Sequence, residues 1–249
     1  MSGCCRVTVN VKIAFDGTDY CGSQIQENGR TVFEEFQKAL VKILGESPDI
    51  KACSRTDSGV HARCFYLSFN TEKAVDVHKL PLSLNANLPF DIRVQGAYRQ
   101  AEGFHARYSA KAKEYTYYIK NSHVDDPFCQ KYYYRTATVL DAEKMNEAAQ
   151  YFVGTQDFRS FMTIKSKVSD CVRTVVSASV TRQGDMVNFK ITADGYLYNM
   201  VRIMAGTLMW VGTGRLEPQD VKEIIAAKDR SKAGVTAPAK GLFLTDVIY

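Results

Sequence analysis

The feature that most constrains the fold of this chain is a regular alternation of apolar and polar residues near its start. Apolar side chains stand at every second position from Val7 to Phe15 and are mostly separated by polar residues. A period of two predicts a β-strand that buries one face. The alternation returns at Phe65, Leu67 and Phe69, which predicts another strand of the same kind.

Helical patterns lie between and after these predicted strands. Thr31 stands three residues before Glu34, a pair that caps the start of a helix, and Gly45 is suited to end that helix. Asp141 is placed to cap a second helix that ends near Gly154. The predicted buried positions are Val32, Phe36, Leu40 and Ile43 in the first helix, and Met145, Ala148, Ala149 and Phe152 in the second.

A β-hairpin is predicted in the second half of the chain. Val187, Phe189 and Ile191 alternate after a turn near residues 183–185, and the partner strand includes residues 173–175. Strands interspersed with helices over 249 residues predict an α+β fold in one or two domains.

Composition restricts the class of protein without identifying it. The net charge of +5 is compatible with a polyanionic partner but is common among other proteins, and Lys165 and Lys167 are expected in a mobile basic loop or an ordinary solvated one. Seven cysteines occur without a metal-ligand spacing, so neither a disulfide framework nor a zinc site is predicted. The start of the chain has no basic stretch leading into an apolar one, and no apolar run reaches membrane-spanning length. We therefore expect a cytoplasmic protein with reduced thiols and no membrane association.

A run of small and polar residues, 53–62, lies between two apolar segments. Asp57 stands two residues after Arg55 and two before Gly59, so a substrate can approach the backbone beside this acid closely. A neighbouring guanidinium favours the ionised carboxylate, which is the form that acts as a nucleophile. Taken alone, the run is also typical of a surface turn closed by an Asx-type hydrogen bond.

The same run resembles the active-site motif G-R-T-D-A-G-V-H-A of the TruA family of tRNA pseudouridine synthases. Ser54 and Ser58 replace a glycine and an alanine, and the remaining residues from Arg55 to Ala62 match the motif. Both replacements keep the side chain small. The resemblance implies that Asp57 is the catalytic nucleophile.

The segment before the first helix resembles the family's opening pattern, Y-D-G-T-x-Y-x-G-W-Q-x-Q followed by T-V-Q. The match runs from Phe15 to Gln26 and resumes at Thr31. Ser23 stands where the family has tryptophan, and Phe33 stands where it has glutamine. These departures predict an altered contact between this loop and RNA.

Residues 104–119 combine cations with tyrosines and resemble the family pattern F-x-A-R-x-S-A-x-x-R-x-Y-x-Y. Tyr115 and Tyr117 are two residues apart and therefore share one face of a predicted strand, where a ring can stack on an extruded base. A half-buried aromatic strand explains the same spacing. The resemblance implies that Tyr115 lies against the target base, and Lys113 replaces the family's arginine. The cations expected to hold the RNA are Arg55, Arg107, Lys111 and Lys113.

A mostly apolar segment, residues 195–208, contains one arginine. Asn199 is placed to cap a helix on which Arg202 is the charged exception. An arginine on so apolar a helix is costly to bury unless a carboxylate or a phosphate meets it, and the alternative is a side chain that extends into solvent. The segment resembles the family's M-V-R-x-x-x-G-x-L, which implies that Arg202 pairs with Asp57 and orients it in its ionised form.

Two other segments match the family with one departure each. Residues 154–161 resemble G-x-H-D-F-x-x-F, with Gln156 in the histidine position, which argues against an imidazole function there. Residues 233–249 resemble A-G-P-T-A-P-A-x-G-L-x-L-x-x-V, with Val235 for proline. Leu244 in this last segment is expected either to wall the base pocket or to be an ordinary core residue.

The matches follow the family order from the first strand to the last residue, so the resemblance covers essentially the whole chain. It implies an α+β fold with two ferredoxin-like or RRM-like lobes, residues 1–106 and 107–249, whose antiparallel sheets join side by side around a catalytic cleft. It also implies a homodimer that binds tRNA and isomerises uridine to pseudouridine at positions 38, 39 and 40 of the anticodon stem-loop. The reaction requires no cofactor and no metal, and the sequence contains no pattern for binding either.

Three alternatives remain open from sequence. A non-catalytic tRNA-binding protein on the same fold is compatible with the departures from the family pattern, and so is a pseudouridine synthase that acts on other RNA positions. The third is a metal-dependent hydrolase, although the spacing of its ligands matches no known metal pattern. Its ligands would be Asp16, Asp19, Asp57 and His61.

Overall fold

The computed structural model describes residues 7–27, 29–163 and 168–249, so the segment containing Lys165 and Lys167 lies outside the described residues. The chain divides into two compact units. The first runs to Lys111 and includes Leu244–Tyr249, and the second is Ala112–Phe243. Each unit combines helices with β-strands, which confirms the predicted α+β class. Residues 244–249, which the prediction assigned to the second lobe, belong to the first unit.

Strands and helices are interspersed along the described residues. The strands are β1 (Val7–Phe15), β2 (Lys51–Ala52), β3 (His61–Thr71), β4 (Ile92–Gln100), β5 (Ala112–Asn121), β6 (Tyr134–Thr136), β7 (Gly154–Asp157), β8 (Val172–Gln183), β9 (Met186–Ala193) and β10 (Leu242–Ile248). The helices are α1 (Val32–Leu44), α2 (Leu80–Asn87), α3 (Ala142–Gln150), α4 (Met200–Gly212) and α5 (Asp220–Ala227). Within the described ranges, none of these helices is long and apolar enough to cross a bilayer.

The strands of the first unit follow the order β4-β1-β3-β10, and the short β2 pairs with β3. β1 is antiparallel to both of its neighbours. Its apolar positions from Val9 to Phe15 are buried as predicted, whereas Val7 is half-buried. Thr8 and Asn10 on the other face are also only 5% and 1% exposed. The prediction of a strand is therefore confirmed, whereas both of its faces are covered near its start.

Helix α1 begins and ends where the sequence predicts. The amide of Glu34 donates to Thr31 Oγ1 at 3.3 Å, and Gly45 has a left-handed φ of 69° with its amide bonded to the carbonyl oxygen of Val41. The predicted burial of Ile43 is wrong, because Ile43 is half-buried and the neighbouring Leu44 takes the buried position. The buried side chains are Val32, Phe36, Ala39, Leu40 and Leu44.

The strands of the second unit follow the order β5-β9-β8-β7 with antiparallel pairing, and β6 pairs with β5 in parallel. The β8–β9 hairpin is confirmed, since Gln183 pairs with Met186 and the turn contains Gly184 with a positive φ. In the β5–β9 pair, Tyr115 lies opposite Ile191 and Tyr117 lies opposite Phe189. This register places both tyrosines on one face of β5.

Helix α3 starts as predicted but is shorter than expected. Asp141 Oδ1 accepts hydrogen bonds from the amides of Glu143 and Lys144 at 3.1 and 3.0 Å. The helix ends at Gln150, so the predicted extension toward Gly154 is wrong, although Phe152 is buried. Helix α5 has no counterpart among the predicted elements.

Candidate active site

The loop that carries Asp57 connects β2 to β3, and its first residue is attached to the sheet. The amide of Cys53 donates to the carbonyl oxygen of Tyr66 at 2.9 Å, and the amide of Tyr66 lies 3.2 Å from Cys53 Sγ as donor. Cys53 is fully buried. The loop therefore leaves the sheet from a fixed point four residues before Asp57.

Asp57 itself is half-buried and stands between two anchored segments of this loop. On its N-terminal side, the amide of Thr56 donates to Ser23 Oγ at 2.9 Å. On its C-terminal side, the amide of Gly59 and the hydroxyl of Ser58 donate to the carbonyl oxygen of Tyr20, at 3.3 and 3.2 Å. The amide of Val60 donates to the carbonyl oxygen of Asp57 at 3.2 Å, which closes a turn. The loop is thus hydrogen-bonded, on both sides of Asp57, to the segment between β1 and α1.

Two glycines in that segment allow the close approach to the Asp57 loop. A Cβ added at Gly17 would lie 2.0 Å from the carbonyl oxygen of Val60, and one added at Gly22 would lie 2.7 Å from that of Thr56. Gly22 also has a φ of 90°, which favours glycine. Larger residues at these positions would push the two segments apart.

His61 lies at the start of β3 and is fully buried. Its Nδ1 accepts a hydrogen bond from the amide of Gly17 at 3.0 Å and lies 3.1 Å from Asp16 Oδ1. Asp16 Oδ1 also accepts from the amide and hydroxyl of Thr18. The histidine of the motif therefore holds the turn that follows β1.

Tyr20, whose carbonyl oxygen anchors the Asp57 loop, is held by its side chain. Its hydroxyl donates to Asp91 Oδ1 at 2.5 Å, and Arg30 pairs with Asp91 Oδ2 at 3.1 Å. The guanidinium carbon of Arg30 lies 4.5 Å from the centre of the Tyr20 ring. Burial, together with the hydrogen bond to Asp91, raises the pKa of Tyr20 well above its usual value.

The other predicted substrate contacts of the first unit differ in exposure. Arg55, Arg107 and Lys111 are exposed, and the Arg107 guanidinium carbon lies 5.8 Å from the centre of the Tyr108 ring. Leu244 is fully buried in β10. The three cations are accessible to a polyanion, whereas Leu244 has the burial of a core leucine.

In the second unit, Arg202 lies in the first turn of α4 and is half-buried. Its Nε donates to the carbonyl oxygen of Ala237 at 2.7 Å, and its NH1 donates to Asn199 Oδ1 at 2.8 Å. Asn199 occupies the predicted cap position with a φ of 62°, but its side chain does not cap the helix. The prediction that Asn199 caps α4 through its side chain is wrong, because that side chain binds Arg202 and Thr163 instead.

The segment that contains Ala237 packs on α4 through backbone contacts. A Cβ added at Gly206 would lie 1.8 Å from the carbonyl oxygen of Val235, and one added at Gly234 would lie 2.4 Å from the amide nitrogen of Thr207. Thr207 Oγ1 accepts from the amide of Gly234 at 2.8 Å. The glycines of two separate motifs thus bring the segment against the helix and place Ala237 beside Arg202.

Tyr115 on β5 is 5% exposed and meets a second aromatic ring. Its ring centre lies 5.0 Å from that of Tyr196, with an interplanar angle of 83°. The Tyr196 hydroxyl lies 2.8 Å from the carbonyl oxygen of Lys113 and 2.9 Å from that of Ile191. Burial raises the pKa of Tyr196, so this phenol stays neutral and can donate a hydrogen bond. Lys113 is itself only 8% exposed.

Gln156, at the family's histidine position, has a local structural contact. Its Nε2 donates to the carbonyl oxygen of Tyr151 at 2.9 Å. Among the described residues, no group of three or more His, Cys, Asp or Glu side chains is arranged to hold a metal ion.

Sequence reasoning missed the contacts that three residues make with or beside the predicted site residues. They are Ser23 beside Thr56, Tyr196 beside Tyr115, and Asn199 as a partner of Arg202. Ser23 was noticed as a departure from the family pattern, but only as an altered RNA contact. The signal for Tyr196 and Asn199 was their place in the same short segment as Arg202.

A family model described as tRNA pseudouridine synthase matches residues 12–109 and 148–249 of this chain. The protein named tRNA pseudouridine synthase A from Thermoanaerobacter sp. (strain X514) is 43% identical over 241 residues, which cover 97% of this chain and 99% of that protein. The protein of the same name from Moorella thermoacetica is 45% identical, with the same coverage of both chains. The Bacillus subtilis (strain 168) protein of that name is 43% identical over 240 residues, covering 95% of this chain and 97% of its own length.

A solved structure of a Cbf5-Nop10-Gar1 complex also aligns with this chain. It covers 94% of this chain and 57% of that one, at 11% sequence identity and a TM-score of 0.34. A similarity of that extent supports no conclusion about fold or function.

Proposed function

This chain belongs to the tRNA pseudouridine synthase family, and from that premise we propose that it isomerises uridine to pseudouridine at positions 38, 39 and 40 of the tRNA anticodon stem-loop. The activity is that of an isomerase, a tRNA pseudouridine synthase. The observation that carries the proposal is the high identity over nearly the whole chain, together with an Asp57 that is fixed by hydrogen bonds on both sides.

The reaction determines what the protein must supply. The bond between uracil N1 and ribose C1′ breaks, a bond from C5 to C1′ forms, C5 loses a proton and N1 gains one. No atom is added or removed overall. A carboxylate contributes by attack on C1′, by addition to the base or by removal of a ribose proton, and each of these requires its ionised form.

Asp57 is the proposed nucleophile. Backbone contacts to Ser23 and Tyr20 restrict the loop around it, so little conformational freedom remains to be lost when the substrate binds. A half-buried carboxylate is accessible to a nucleotide and is still partly shielded from water. These properties are those required of a pre-positioned catalytic group.

Arg202 is the proposed partner of Asp57. Its Nε and NH1 hydrogen bonds to Ala237 and Asn199 fix the plane of the guanidinium. A guanidinium with a fixed plane can bind a carboxylate through one or two hydrogen bonds of defined direction. A guanidinium beside a carboxylate favours the ionised form of that carboxylate. We propose that this pair orients the nucleophile.

Tyr115 is the residue proposed to lie against the target base. Its ring is held edge-to-face by Tyr196, and stacking on an extruded base needs a ring of fixed orientation. Leu244 is proposed as an apolar wall of the base pocket, and its full burial makes it part of the core as well. A dry, restricted pocket retains the detached uracil while it rotates.

The remaining roles concern RNA binding and assembly. The exposed Arg55, Arg107 and Lys111 are proposed to contact phosphates. Lys113 is buried on the face of β5 that carries Tyr115, so we assign it to the substrate near the reacting nucleotide. The family resemblance is the basis for proposing a homodimer, a cytoplasmic location and a reaction without a cofactor.

The proposal is tested by mapping pseudouridine with carbodiimide-directed primer extension on unmodified tRNA transcripts, without added metal. Purified wild-type protein is expected to produce new stops at positions 38 to 40. Transcripts with cytidine at these positions serve as controls and are expected to give none. Stops elsewhere would assign the enzyme to other RNA positions, and binding without any stop would favour a non-catalytic tRNA-binding protein.

A further inference from the structure

We propose that Ser23 is a positioning residue of the catalytic loop. Its hydroxyl oxygen accepts a hydrogen bond from the Thr56 amide and thereby positions Asp57. This inference rests on the proposed role of Asp57 as nucleophile. Ser23 is fully buried, and its Oγ lies 2.9 Å from the amide nitrogen of Thr56, the residue immediately before Asp57.

The contact between Ser23 and Thr56 is reciprocal. The amide of Ser23 donates to the carbonyl oxygen of Thr56 at 3.2 Å, so both polar backbone groups of Thr56 bind one residue. Thr56 is 8% exposed, which leaves its amide little access to water. A buried amide without a partner is unfavourable, so loss of the Ser23 hydroxyl favours loop conformations in which the amide reaches solvent.

Ser23 is itself attached to a rigid element. Its carbonyl oxygen accepts a hydrogen bond from the amide of Phe33 at 3.0 Å, at the start of α1. The carbonyl oxygen of Gly22 accepts from the amide of Val32 at 3.4 Å. The Asp57 loop is therefore connected through Ser23 to a helix that is capped at both of its ends.

The hydroxyl supplies an acceptor that an apolar or indole side chain at this position would not offer. An indole has a donor and no acceptor, so it cannot receive the Thr56 amide. Ser23 is also completely buried, so its hydroxyl has no contact with solvent. In this chain, the small hydroxyl residue therefore has a specific function in placing the loop.

The experiment compares Ser23→Ala with a matched control, Ser68→Ala. Ser68 lies in the same unit, is 2% exposed, and its Oγ accepts the amide of Ala106 at 3.0 Å. Both substitutions remove the acceptor of one buried amide, but only Ser23 adjoins the catalytic loop. Ser23→Cys retains the side-chain volume with a weak acceptor and separates the hydrogen bond from packing.

We expect kcat of Ser23→Ala to fall about 10- to 100-fold with little change in KM, and Ser68→Ala to stay within about threefold of wild type. Ser23→Cys is expected to fall between wild type and Ser23→Ala. Hydrogen exchange followed by mass spectrometry is expected to show faster exchange in peptides spanning residues 54–60 of Ser23→Ala alone. This second readout does not depend on activity.

A wild-type kcat in Ser23→Ala would overturn the proposal, as would equal losses of kcat in the two alanine variants. If Ser23→Ala does not fold, Ser23→Cys is the deciding variant. A wild-type kcat together with wild-type hydrogen exchange in Ser23→Cys would show that the Ser23–Thr56 hydrogen bond does not position the loop. Failure of the proposed function is distinguished separately. In that event wild-type protein forms no pseudouridine, whereas the exchange comparison still reports whether Ser23 fixes the loop.

Discussion

The Nε atom of Arg202 donates to the carbonyl oxygen of Ala237 at 2.7 Å, and the amide of Ala237 donates back to the carbonyl oxygen of Arg202 at 3.1 Å. Arg202 and Ala237 are 35 residues apart in the sequence, and their two motifs thus form one structural unit. The first supplies the guanidinium, and the second fixes its direction. Gly206 and Gly234 are required because their backbones touch at the point where the two segments meet.

Replacement of Arg202 is expected to change how activity depends on pH. Arg202→Leu lacks the charge that we propose favours ionised Asp57, so we predict that the acid limb of the rate profile moves to higher pH or that activity is lost. Arg215→Leu is the matched control, because Arg215 is exposed in the same unit. Its guanidinium carbon lies 3.8 Å from the centre of the Trp210 ring. The measurement is the initial rate of pseudouridine formation between pH 5 and 9. An unchanged profile in Arg202→Leu would separate Arg202 from Asp57.

Substitution of Tyr115 tests whether its ring or its hydroxyl matters. Tyr115→Phe retains the ring that meets Tyr196, so we predict activity within about tenfold of wild type. Tyr115→Leu loses the stacking surface and is expected to cost about 1–3 kcal/mol in kcat/KM. Tyr118→Leu is the control, because Tyr118 lies on the opposite face of β5 against Phe243. Equal activity of Tyr115→Leu and wild type would contradict the base-stacking role.

Gly234→Ala is expected to destabilise the protein and to lower activity together. The added Cβ would lie within 2.5 Å of backbone atoms of Gly206 and Thr207, which cannot move aside as a flexible side chain does. We predict a loss of about 1–3 kcal/mol in the free energy of unfolding. Gly195→Ala is the control, because its nearest neighbour is the Arg173 side chain at 3.4 Å, and its change is expected to be within about 0.5 kcal/mol. Urea unfolding measures both variants, and equal stabilities would refute the packing argument.

The hydroxyl of Tyr20 is expected to make stability depend on alkaline pH. Burial raises the pKa of Tyr20 in the folded protein, whereas in the unfolded chain it ionises near pH 10. The stabilisation that this neutral, hydrogen-bonded phenol contributes is present below about pH 10 and is lost as pH rises above that value. Tyr20→Phe removes the hydrogen bond to Asp91, and it also removes the loss of stability that ionisation of this phenol causes at high pH. We therefore predict that the stability difference between wild type and Tyr20→Phe is larger at pH 8 than at pH 10.5, as measured by urea unfolding. A difference that is constant with pH would contradict this.

Local signals in the sequence were sufficient for much of the fold. The period of two in β1 and β3, the caps at Thr31, Gly45 and Asp141, and the turn before β9 each depend on neighbouring residues, and all are confirmed. The errors arose where distant residues decide. Ile43 and Leu44 are equally apolar, and their burial depends on what packs against α1.

The candidate site shows the same division. Asp57, Tyr115 and Arg202 stand in recognisable motifs, but their roles remain proposals. The residues that hold them lie far away in sequence, as with Ser23 and Thr56, or use a side chain in an unexpected direction, as with Asn199. A cap residue and a guanidinium ligand look the same in sequence, because asparagine serves both purposes with the same amide.

The central claim is that the carboxylate of Asp57 drives pseudouridine formation, and its most direct test pairs activity with binding. Asp57→Asn retains the shape of the side chain without its charge, and Asp19→Asn is the control, since Asp19 is an exposed carboxylate in the neighbouring loop. Each protein is incubated with unmodified tRNA transcripts, pseudouridine is mapped, and the Kd for tRNA is measured on the same preparations. We predict pseudouridine at positions 38 to 40 with wild type and Asp19→Asn, and none with Asp57→Asn, which still binds tRNA. Pseudouridine formation by Asp57→Asn at the wild-type rate would contradict the claim.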